Sequence, residues 1–335
     1  MDLRESAELD IVNRCLELLL QNGVYDLVIG VANSSESPFA STNYRLPNIL
    51  LSISVLDSLD IGHCELPSSF MLDTVMFKSL RRLVLPRVPI NDEVLKHITT
   101  SCPLLQVFVV NACHGLKRFC VYGHQRLRSV WIQYNTPFER IDIEAPNLSS
   151  LSIKDDHGRG GPPQMNLASC EKLITVFYYV CPYSNSYSFI DLLSNFPFVE
   201  NLILATTNKC NNLKLSSHSL RTLVLKTFCD LEEIKFNAPN LVSFSYTCCT
   251  SGLMSLSMDK RWAMLRDSSR LKACMHCYPV SYIDTLCLWF QKLRHFLDKK
   301  NGFKVFNLYI HAIYSPVRFF GQSFTYYFVV NNYIK

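Results

Sequence analysis

Two short clusters of cysteine, histidine and aspartate are the places where this sequence could perform metal or redox chemistry. The segment Cys274-Met275-His276-Cys277 has the CxxC spacing of a zinc or redox site. A structural zinc site needs four ligands, and no second CxxC or histidine pair lies at a fitting distance to supply the other two. We therefore interpret this segment as unpaired thiols near a helix end.

The second cluster, Asp155-Asp156-His157, has side chains that could ligate a metal ion. The glycine- and proline-rich segment 158–163 follows directly and predicts a flexible loop between repeats, where charged side chains are usually solvated. We assign this cluster no role. The sequence thus predicts no metal site and no cofactor.

Motifs of the common enzyme classes do not occur in this sequence. There is no GxSxG, HExxH, GxxxxGK or GxGxxG, and the chain contains only 11 glycine residues. No residue can be nominated as a catalytic nucleophile or base, so the sequence predicts that the chain is not an enzyme. An enzyme of unrecognised type remains a third alternative.

Composition indicates a folded chain without a strongly charged partner. Hydrophobic residues make up 48% and charged residues 18%, which favours a buried core over disorder. The 33 basic and 28 acidic residues are spread along the chain without a long run of one sign. Exposed aromatic side chains with Arg82, Arg128 and Arg221 could hold a single-stranded nucleic acid. The dilute charge does not favour that alternative.

Hydropathy and cysteine usage predict an intracellular protein of the cytoplasm or nucleus with no membrane contact. No apolar stretch reaches the roughly 18 residues of a membrane span, and Met1 to Asp10 is acidic and polar, unlike a signal peptide. The 14 cysteines are scattered through a long chain, so we expect them to be mostly reduced. We predict that Cys64, Cys102 and Cys113 pack as small buried hydrophobes.

A repeat of 21–26 residues organises the middle of the chain. Each copy has an apolar residue followed by apolar residues three and five positions later, which is the leucine-rich-repeat template. Nine consecutive copies are Leu56, Leu59, Ile61; Leu80, Leu83, Leu85; Leu105, Phe108, Val110; Leu127, Val130, Ile132; Leu148, Leu151, Ile153; Leu173, Val176, Tyr178; Val199, Leu202, Leu204; Leu220, Leu223, Leu225; and Leu241, Phe244, Tyr246.

Helices and a tenth copy of the repeat complete the predicted organisation. Val24, Leu27 and Ile29 form the tenth copy, after a helical stretch from Ile11 to Leu20. Apolar spacing also predicts a helix over Asn91 to Thr100 that ends at Cys102-Pro103. We expect an N-terminal helical cap (1–23), a leucine-rich-repeat solenoid (24–258), a mostly helical segment (259–300), and a possible last strand with an irregular tail (301–335).

Internal duplication supports the repeat interpretation. The segment from Leu127 to Ile153 matches the segment from Leu220 to Tyr246 at a constant offset of 93 residues, and Ala-Pro-Asn-Leu occurs in both, at 145–148 and 238–241. Proline fixes its own φ and lacks an N–H, so we expect both copies to turn there before the strand begins.

The order of several motifs resembles the repeat region of plant F-box/leucine-rich-repeat proteins of the FBD-like kind. These motifs are Phe77 to Leu85, Ile90-Asn91-Asp92, Ser101 to Leu105, and Ala145 to Leu148. Leu46-Pro47 and the segment from Trp289 to Leu297 also look like that family, and the resemblance covers about residues 8 to 310. It implies an α/β leucine-rich-repeat solenoid with a curved parallel sheet on the concave side and helices or irregular segments on the convex side.

The same resemblance implies a function in protein recognition. Family members resemble substrate receptors of a Skp-cullin-F-box ubiquitin ligase, in which the repeats hold the target. Only some twenty residues precede the first repeat here, so we expect the F-box to be missing. Skp adaptor and cullin are then partners only if an F-box exists that is not visible in this sequence. The alternative is a truncated or decoy repeat protein without ligase coupling.

The predicted binding residues alternate with the core residues of the strands. Alternate side chains of a strand face opposite ways, so the residues that flank the second and third apolar positions should line the concave face. Large apolar residues at such positions are typical interface anchors, although exposed hydrophobics are also common on monomers. The predicted protein-binding residues are Arg82, Val107, Val109, Trp131, Ser152, Phe177, Tyr179, Asn201, Ile203 and Val224.

Overall fold

The computed structural model of the chain shows how the repeats become strands. It describes residues 3–30, 44–52, 54–67, 69–71, 77–136, 138–156, 163–180, 193, 196–206, 212–227, 233–248, 255–258, 270–277 and 305–312. The chain divides into two units. Unit 1 comprises residues 1–152 and 162–172, and unit 2 comprises residues 153–161 and 173–335.

The main sheet of unit 1 contains one strand from each coil of that unit. Its strands lie in the order β1-β2-β3-β4-β6-β8, and each pair from β1–β2 to β4–β6 is parallel. A parallel neighbour in each coil requires the chain to return to the same edge of the sheet, as in a solenoid. The strands are β1 (Asp26–Gly30), β2 (Ser58–Gly62), β3 (Arg82–Pro86), β4 (Val107–Asn111), β6 (Ser129–Tyr134) and β8 (Ser150–Asp155), of which residues 153–155 belong to unit 2.

Unit 2 repeats this arrangement with its own parallel main sheet. Its strands lie in the order β10-β11-β13-β15-β17-β18. Each strand follows its neighbour by one coil, which confirms the predicted leucine-rich-repeat solenoid. The strands are β10 (Thr175–Val180), β11 (Asn201–Thr206), β13 (Thr222–Thr227), β15 (Ser243–Cys248), β17 (Arg270–Cys277) and β18 (Val305–Ala312).

A short second parallel sheet accompanies each main sheet, where the sequence predicts helices or irregular segments. Apolar residues alternate in these strands, as in Phe119 and Val121 or Ile141 and Ile143, which are all buried. Unit 1 has β5 (Arg118–Val121), β7 (Arg140–Ile143) and β9 (Gln164–Asn166), and unit 2 has β12 (Asn212–Ser216), β14 (Glu233–Asn237) and β16 (Ser255–Met258).

The apolar triplets of the repeat form the cores of the units. Every triplet residue from Leu56 to Phe244 is at most 3% exposed. Full burial of a leucine or valine side chain contributes about 1.5–3 kcal/mol to folding. The 3-then-2 spacing places the last two residues of each triplet on the same side of a strand, so stacking of coils forms a continuous apolar layer.

Helix α2 (Asp92–Ser101) begins and ends close to where its sequence predicts. The side chain of Asn91 caps the first turn by accepting a hydrogen bond from the Val94 N–H at 2.8 Å. Leu95 and Ile98 are buried on one face. Cys102 ends the helix and is itself fully buried.

Helix α1 (Leu3–Gln21) precedes β1, in the segment where the sequence predicts a helical cap. It buries Leu16 and Leu20, and the Tyr44 hydroxyl donates a hydrogen bond to Asn13 Oδ1 at 3.0 Å. A 3-10 helix, Asn48–Ser52, lies between β1 and β2.

The segment 259–300, predicted as mostly helical, contains strand β17. Leu271 and Ala273 pair in register with Phe244 and Tyr246 of β15, so a neighbouring edge strand selects the extended conformation there. Residues 259–269 and 278–300 lie outside the described residues, and their helical content stays a prediction. Strand β18 lies in the segment predicted to hold a possible last strand, whereas the tail after Ala312 lies outside the described residues.

The three cysteines that the sequence predicts to be buried are buried in the structure. Cys64, Cys102 and Cys113 are each at most 4% exposed and carry free thiols. The Cys113 thiol donates a hydrogen bond to the Leu85 carbonyl at 3.0 Å. This bond joins one coil to the coil before it, at the position where the repeat template has asparagine or cysteine.

Candidate protein-binding surface

Each main sheet has one buried face and one open face. Strands β4, β6 and β8 alternate between buried and less buried residues along their whole length. The ten residues that the sequence assigns to the binding face all lie in these sheets on the open side, where each is half-buried or exposed. Alternation along the strands accounts for this less buried position, and their role in protein binding stays a prediction.

An apolar row crosses the open face of unit 1. Val84 pairs in register with Val109, and Val109 pairs with Trp131. Exposure increases along the row, from 8% at Val84 to 46% at Trp131. Val84 lies between Leu83 and Leu85 in β3, so alternation along the strand places it on this face, but it is buried there. We call Val84, Val109 and Trp131 the tryptophan row.

Charged residues flank the tryptophan row. Arg82 pairs in register with Val107 on one side and with Ser58 on the other. Burial raises the pKa of the Asp60 carboxyl, and the positive charge of Arg82 opposes that effect with a smaller one. The Arg82 side chain is therefore exposed to solvent and also attracts the Asp60 carboxylate beside the row.

Unit 2 has an apolar row of its own. Phe177, Ile203 and Val224 are in register on three neighbouring strands, and all three are half-buried. We call them the phenylalanine row. A row of uncharged polar residues lies beside it, where Asn201 Nδ2 donates to Thr175 Oγ1 at 3.5 Å. The open face therefore offers apolar contact bordered by hydrogen-bonding groups, which is the composition of many protein interfaces.

Tyr179 lies next to this row and has a charged neighbour. The Lys154 ammonium group is 5.4 Å from the centre of the Tyr179 ring, within the range of a cation–π interaction. The same ammonium group is 3.1 Å from Asp156 Oδ2. This pair of contacts holds Lys154 beside the aromatic ring. Ser152, in β8, is half-buried and belongs to unit 1.

A polar cluster on the second sheet of unit 1 does not provide a nucleophile. The buried Asp142 carboxylate accepts from Arg140 Nε at 2.8 Å and from the Tyr122 hydroxyl at 3.3 Å. Burial is the main cause that raises the pKa of the neighbouring Cys120 thiol, whereas a reactive thiol needs a lowered pKa. The pKa of the Tyr122 hydroxyl is raised to about 12, and its hydrogen bond with Cys120 contributes most to that increase.

Most of the side chains considered for metal chemistry lie outside the part of the chain that the structure describes. No group of three or more histidine, cysteine, aspartate or glutamate side chains in the described part could hold a metal ion. The Cys274–Cys277 segment is the end of β17, and its side chains lie outside the described residues, as does His157. Among the described helices, none is long and apolar enough to cross a membrane.

Sequence reasoning missed a groove of about 540 Å³ at the edge of the main sheet of unit 1. Arg126, Arg128 and Lys172 line it. Of these, only Arg128 is among the residues that the sequence suggested for ligand binding. The available signal was that Arg126 and Arg128 occupy the turn before β6 and Lys172 the turn after β9, but their proximity depends on how the coils stack.

Comparisons with known proteins agree with the repeat architecture. Residues 12–185 match the family described as "FBD-associated F-box protein At5g56370, LRR repeats", which is slightly more than half of the chain. F-box/LRR-repeat protein 25 of Arabidopsis thaliana is 24% identical over 148 residues, or 43% of this chain and 54% of that protein. The chain spans about half the length of this curated relative. The repeat type and the solenoid fold of both units support a protein-interaction module. Together with the parallel coils, these matches show that the chain belongs to the plant family of FBD-associated F-box leucine-rich-repeat proteins.

Proposed function

We propose that the chain binds a protein target through the open faces of its main sheets and acts as the target-recognition module of a ubiquitin-ligase receptor. The exposure of Trp131 is the observation that carries this proposal. Its side chain is 46% exposed at the end of an apolar row, although the buried face of the same strand is fully packed. Tryptophan is strongly enriched among the residues that contribute most to protein binding.

The phenylalanine row supports the same kind of partner. Three apolar side chains in register form a surface that would lose exposed area when a partner covers it. The neighbouring Thr175 and Asn201 supply hydrogen-bonding groups at its border. A protein segment offers both apolar side chains and backbone amides, so it fits this surface.

Acidic neighbours of two arginines argue against a nucleic acid on this face. Arg221 Nε is 3.4 Å from Glu200 Oε2, and Arg82 has Asp60 as a charged neighbour. Affinity for a phosphate backbone depends on several uncompensated cations along its path. Two of the three arginines considered for nucleic-acid binding thus have acidic neighbours.

Coupling to a ubiquitin ligase is the more specific part of the proposal, and it is supported by sequence similarity alone. The matched family and the Arabidopsis relative both carry F-box in their names. The proposed role is non-catalytic, because a receptor positions a target while another subunit performs the transfer.

The test is affinity capture with the tagged chain and three variants. Trp131→Ala and Phe177→Ala each remove one aromatic side chain from the open face. Phe198→Ala is the matched control, because Phe198 is 53% exposed in the turn before β11 and is not part of either row. Captured proteins are identified by mass spectrometry, and the strongest is purified for a direct affinity measurement.

The expected result is a defined partner whose affinity falls about tenfold or more in Trp131→Ala or Phe177→Ala, because loss of an interface anchor costs about 1–2 kcal/mol or more. Phe198→Ala should retain the wild-type affinity. Equal binding by all variants would contradict the open-face proposal. Purified Skp adaptor and cullin are tested separately: their recovery supports the receptor role, and target binding without them favours a stand-alone or decoy module.

A further inference from the structure

The groove at the edge of the main sheet of unit 1 has a lining with an excess of positive charge. Its lining residues lie in the turns before β4, β6 and β8 and in the turn after β9, and its volume is about 540 Å³. Arg126, Arg128 and Lys172 contribute three cations to the lining, together with the amide side chains of Gln106 and Asn147, and no carboxylate lines it.

The position of Arg128 recurs in other coils, where an acidic residue neutralises the arginine. Arg81 precedes β3 and lies 3.0 Å from Asp57 of the preceding coil. Arg221 precedes β13 and lies 3.4 Å from Glu200 of the preceding coil. In both cases the arginine N–H also donates to the carbonyl of that acidic residue, at 2.7 Å and 2.8 Å.

Gln106 replaces this acidic residue in the coil before Arg128. The Arg128 N–H donates to the Gln106 carbonyl at 2.9 Å, so the backbone relationship is the same as at the other two positions. The side chain of Gln106 carries no charge. Among the described residues, Arg126, Arg128 and Lys172 form no ion pair. The repeat therefore leaves the Arg128 guanidinium without its usual partner.

Asn147 holds one of these cations in the groove. Its side-chain oxygen accepts a hydrogen bond from Lys172 Nζ at 2.7 Å, and its Nδ2 donates to the Gln125 carbonyl at 2.6 Å. The asparagine thus connects three successive coils and fixes the ammonium group near the guanidinium groups that line the same groove. Holding a side chain in place before binding reduces the entropy lost when a ligand arrives.

We propose that this groove binds a phosphate monoester dianion, carried either by a phosphorylated protein segment or by a small phosphorylated ligand. Two arginines and a lysine can supply several charge-assisted hydrogen bonds to the three terminal oxygens of such a group. The site lies at the edge of the sheet rather than on its open face, so it goes beyond the proposed function and does not depend on it.

A nucleic-acid strand fits this groove less well than a single dianionic group. A strand needs cations spaced along its backbone, but Arg45, Arg81, Arg118 and Arg140 of unit 1 all lie within 3.2 Å of a carboxylate oxygen. Arg126, Arg128 and Lys172 instead line a single groove. Local charge of this kind matches a compact ligand.

The experiment is isothermal titration of the full chain at constant ionic strength with four probes: inorganic phosphate, a short phosphoserine peptide, its unphosphorylated serine counterpart, and a single-stranded DNA of about ten nucleotides. Arg128→Gln removes the central cation. Gln106→Glu restores the acidic residue found at Asp57 and Glu200, so it should pair with Arg128 without disturbing the fold. Arg221→Gln is the matched control, because it removes an arginine at the same repeat position that is already paired. Circular dichroism confirms that each variant is folded.

We expect wild type and Arg221→Gln to bind phosphate and the phosphoserine peptide with submillimolar dissociation constants, and Arg128→Gln and Gln106→Glu to bind about tenfold or more weakly. Tighter binding of the peptide than of phosphate identifies a phosphorylated protein segment as the source, and equal binding identifies a small phosphorylated ligand. No binding by wild type, or equal weakening in Arg221→Gln, overturns the proposal. Tighter binding of a single-stranded DNA of about ten nucleotides than of the phosphopeptide also overturns it.

Discussion

The side-chain amide of Asn147 donates a 2.6 Å hydrogen bond to the backbone carbonyl of Gln125, one coil earlier in the chain. Asn240, 93 residues further on, donates an equivalent 2.6 Å bond to the carbonyl of His218. The turns also match, since the Leu148 and Leu241 N–H groups donate to the Ala145 and Ala238 carbonyls. The Ala-Pro-Asn-Leu segment thus performs the same structural task in both copies.

We expect Asn147→Ala and Asn240→Ala each to lower the free energy of unfolding by about 0.5–1.5 kcal/mol, because each removes a hydrogen bond between coils. Urea denaturation of the two variants measures this. Asn166→Ala is a suitable control, because Asn166 is exposed at the end of β9. A loss of stability in only one of the two asparagine variants would show that the duplicated segments are not energetically equivalent.

The buried thiols should be unreactive in the folded protein. Burial raises the pKa of Cys113 to about 12 and that of Cys102 to about 12, so both stay protonated at neutral pH, whereas Cys15 is exposed. We expect iodoacetamide at about pH 8 to modify Cys15 but neither buried thiol, and to modify all three after denaturation. Peptide mass spectrometry measures the outcome. Rapid native labelling of Cys113 would contradict the packing of this coil.

The raised thiol pKa values also predict a loss of stability in alkali. A thiol ionises in the unfolded chain near pH 9 but in the folded chain only near pH 12. Its contribution is fully present below about pH 9 and is lost as the pH rises towards 12, because ionisation then favours the unfolded state. Cys113→Ala should weaken this dependence, and urea midpoints at several alkaline pH values measure it.

His124 predicts the opposite dependence on the acid side. Its side chain is 5% exposed, and burial lowers its pKa below the usual 6.5, with a partly opposing hydrogen bond to the Thr99 backbone. The stability that depends on neutral His124 is present above pH 6.5 and is lost as the pH falls through the lowered pKa.

Urea midpoints between pH 5 and pH 8 measure this effect, which His124→Gln should reduce. His218→Gln is the matched control, because the ring of His218 is exposed to water in the folded chain and in the unfolded one. An unchanged pH dependence in His124→Gln would show that the ring becomes protonated without opening the core.

Two paired arginines on the second sheet of unit 1 should contribute differently to the free energy of unfolding. Arg118 pairs with Arg140 across the β5–β7 ladder, but Arg118 contacts the exposed Glu139, whereas Arg140 lies 2.6 Å from the buried Asp142. We expect Arg118→Ala to cost at most about 1 kcal/mol, because exposed ion pairs contribute little. Arg140→Ala should destabilise more, because it leaves a buried carboxylate with fewer partners. Urea denaturation midpoints of the two variants measure the difference in stability. Equal midpoints would mean that water solvates the Asp142 carboxylate once Arg140 is removed.

The sequence by itself determined the repeat and much of its local structure. The spacing of Leu83 and Leu85, repeated from coil to coil, specifies which side of each strand is buried, because side chains alternate along any strand. Asn91 and Cys102 bound helix α2 through local capping and chain geometry. The open-face positions of Trp131 and Phe177 follow from the same alternation, so the candidate face was predictable in outline.

Only the tertiary structure decided which residues of different coils meet. The burial of Val84, the short second sheets and strand β17 all depend on neighbouring coils rather than on local pattern. The contrast between Arg128 beside Gln106 and Arg221 beside Glu200 is invisible along the chain, because each contact joins residues 21 or 22 positions apart through coil stacking. Local periodicity specifies what each coil buries, and the register between coils specifies which charges remain unpaired at their edge.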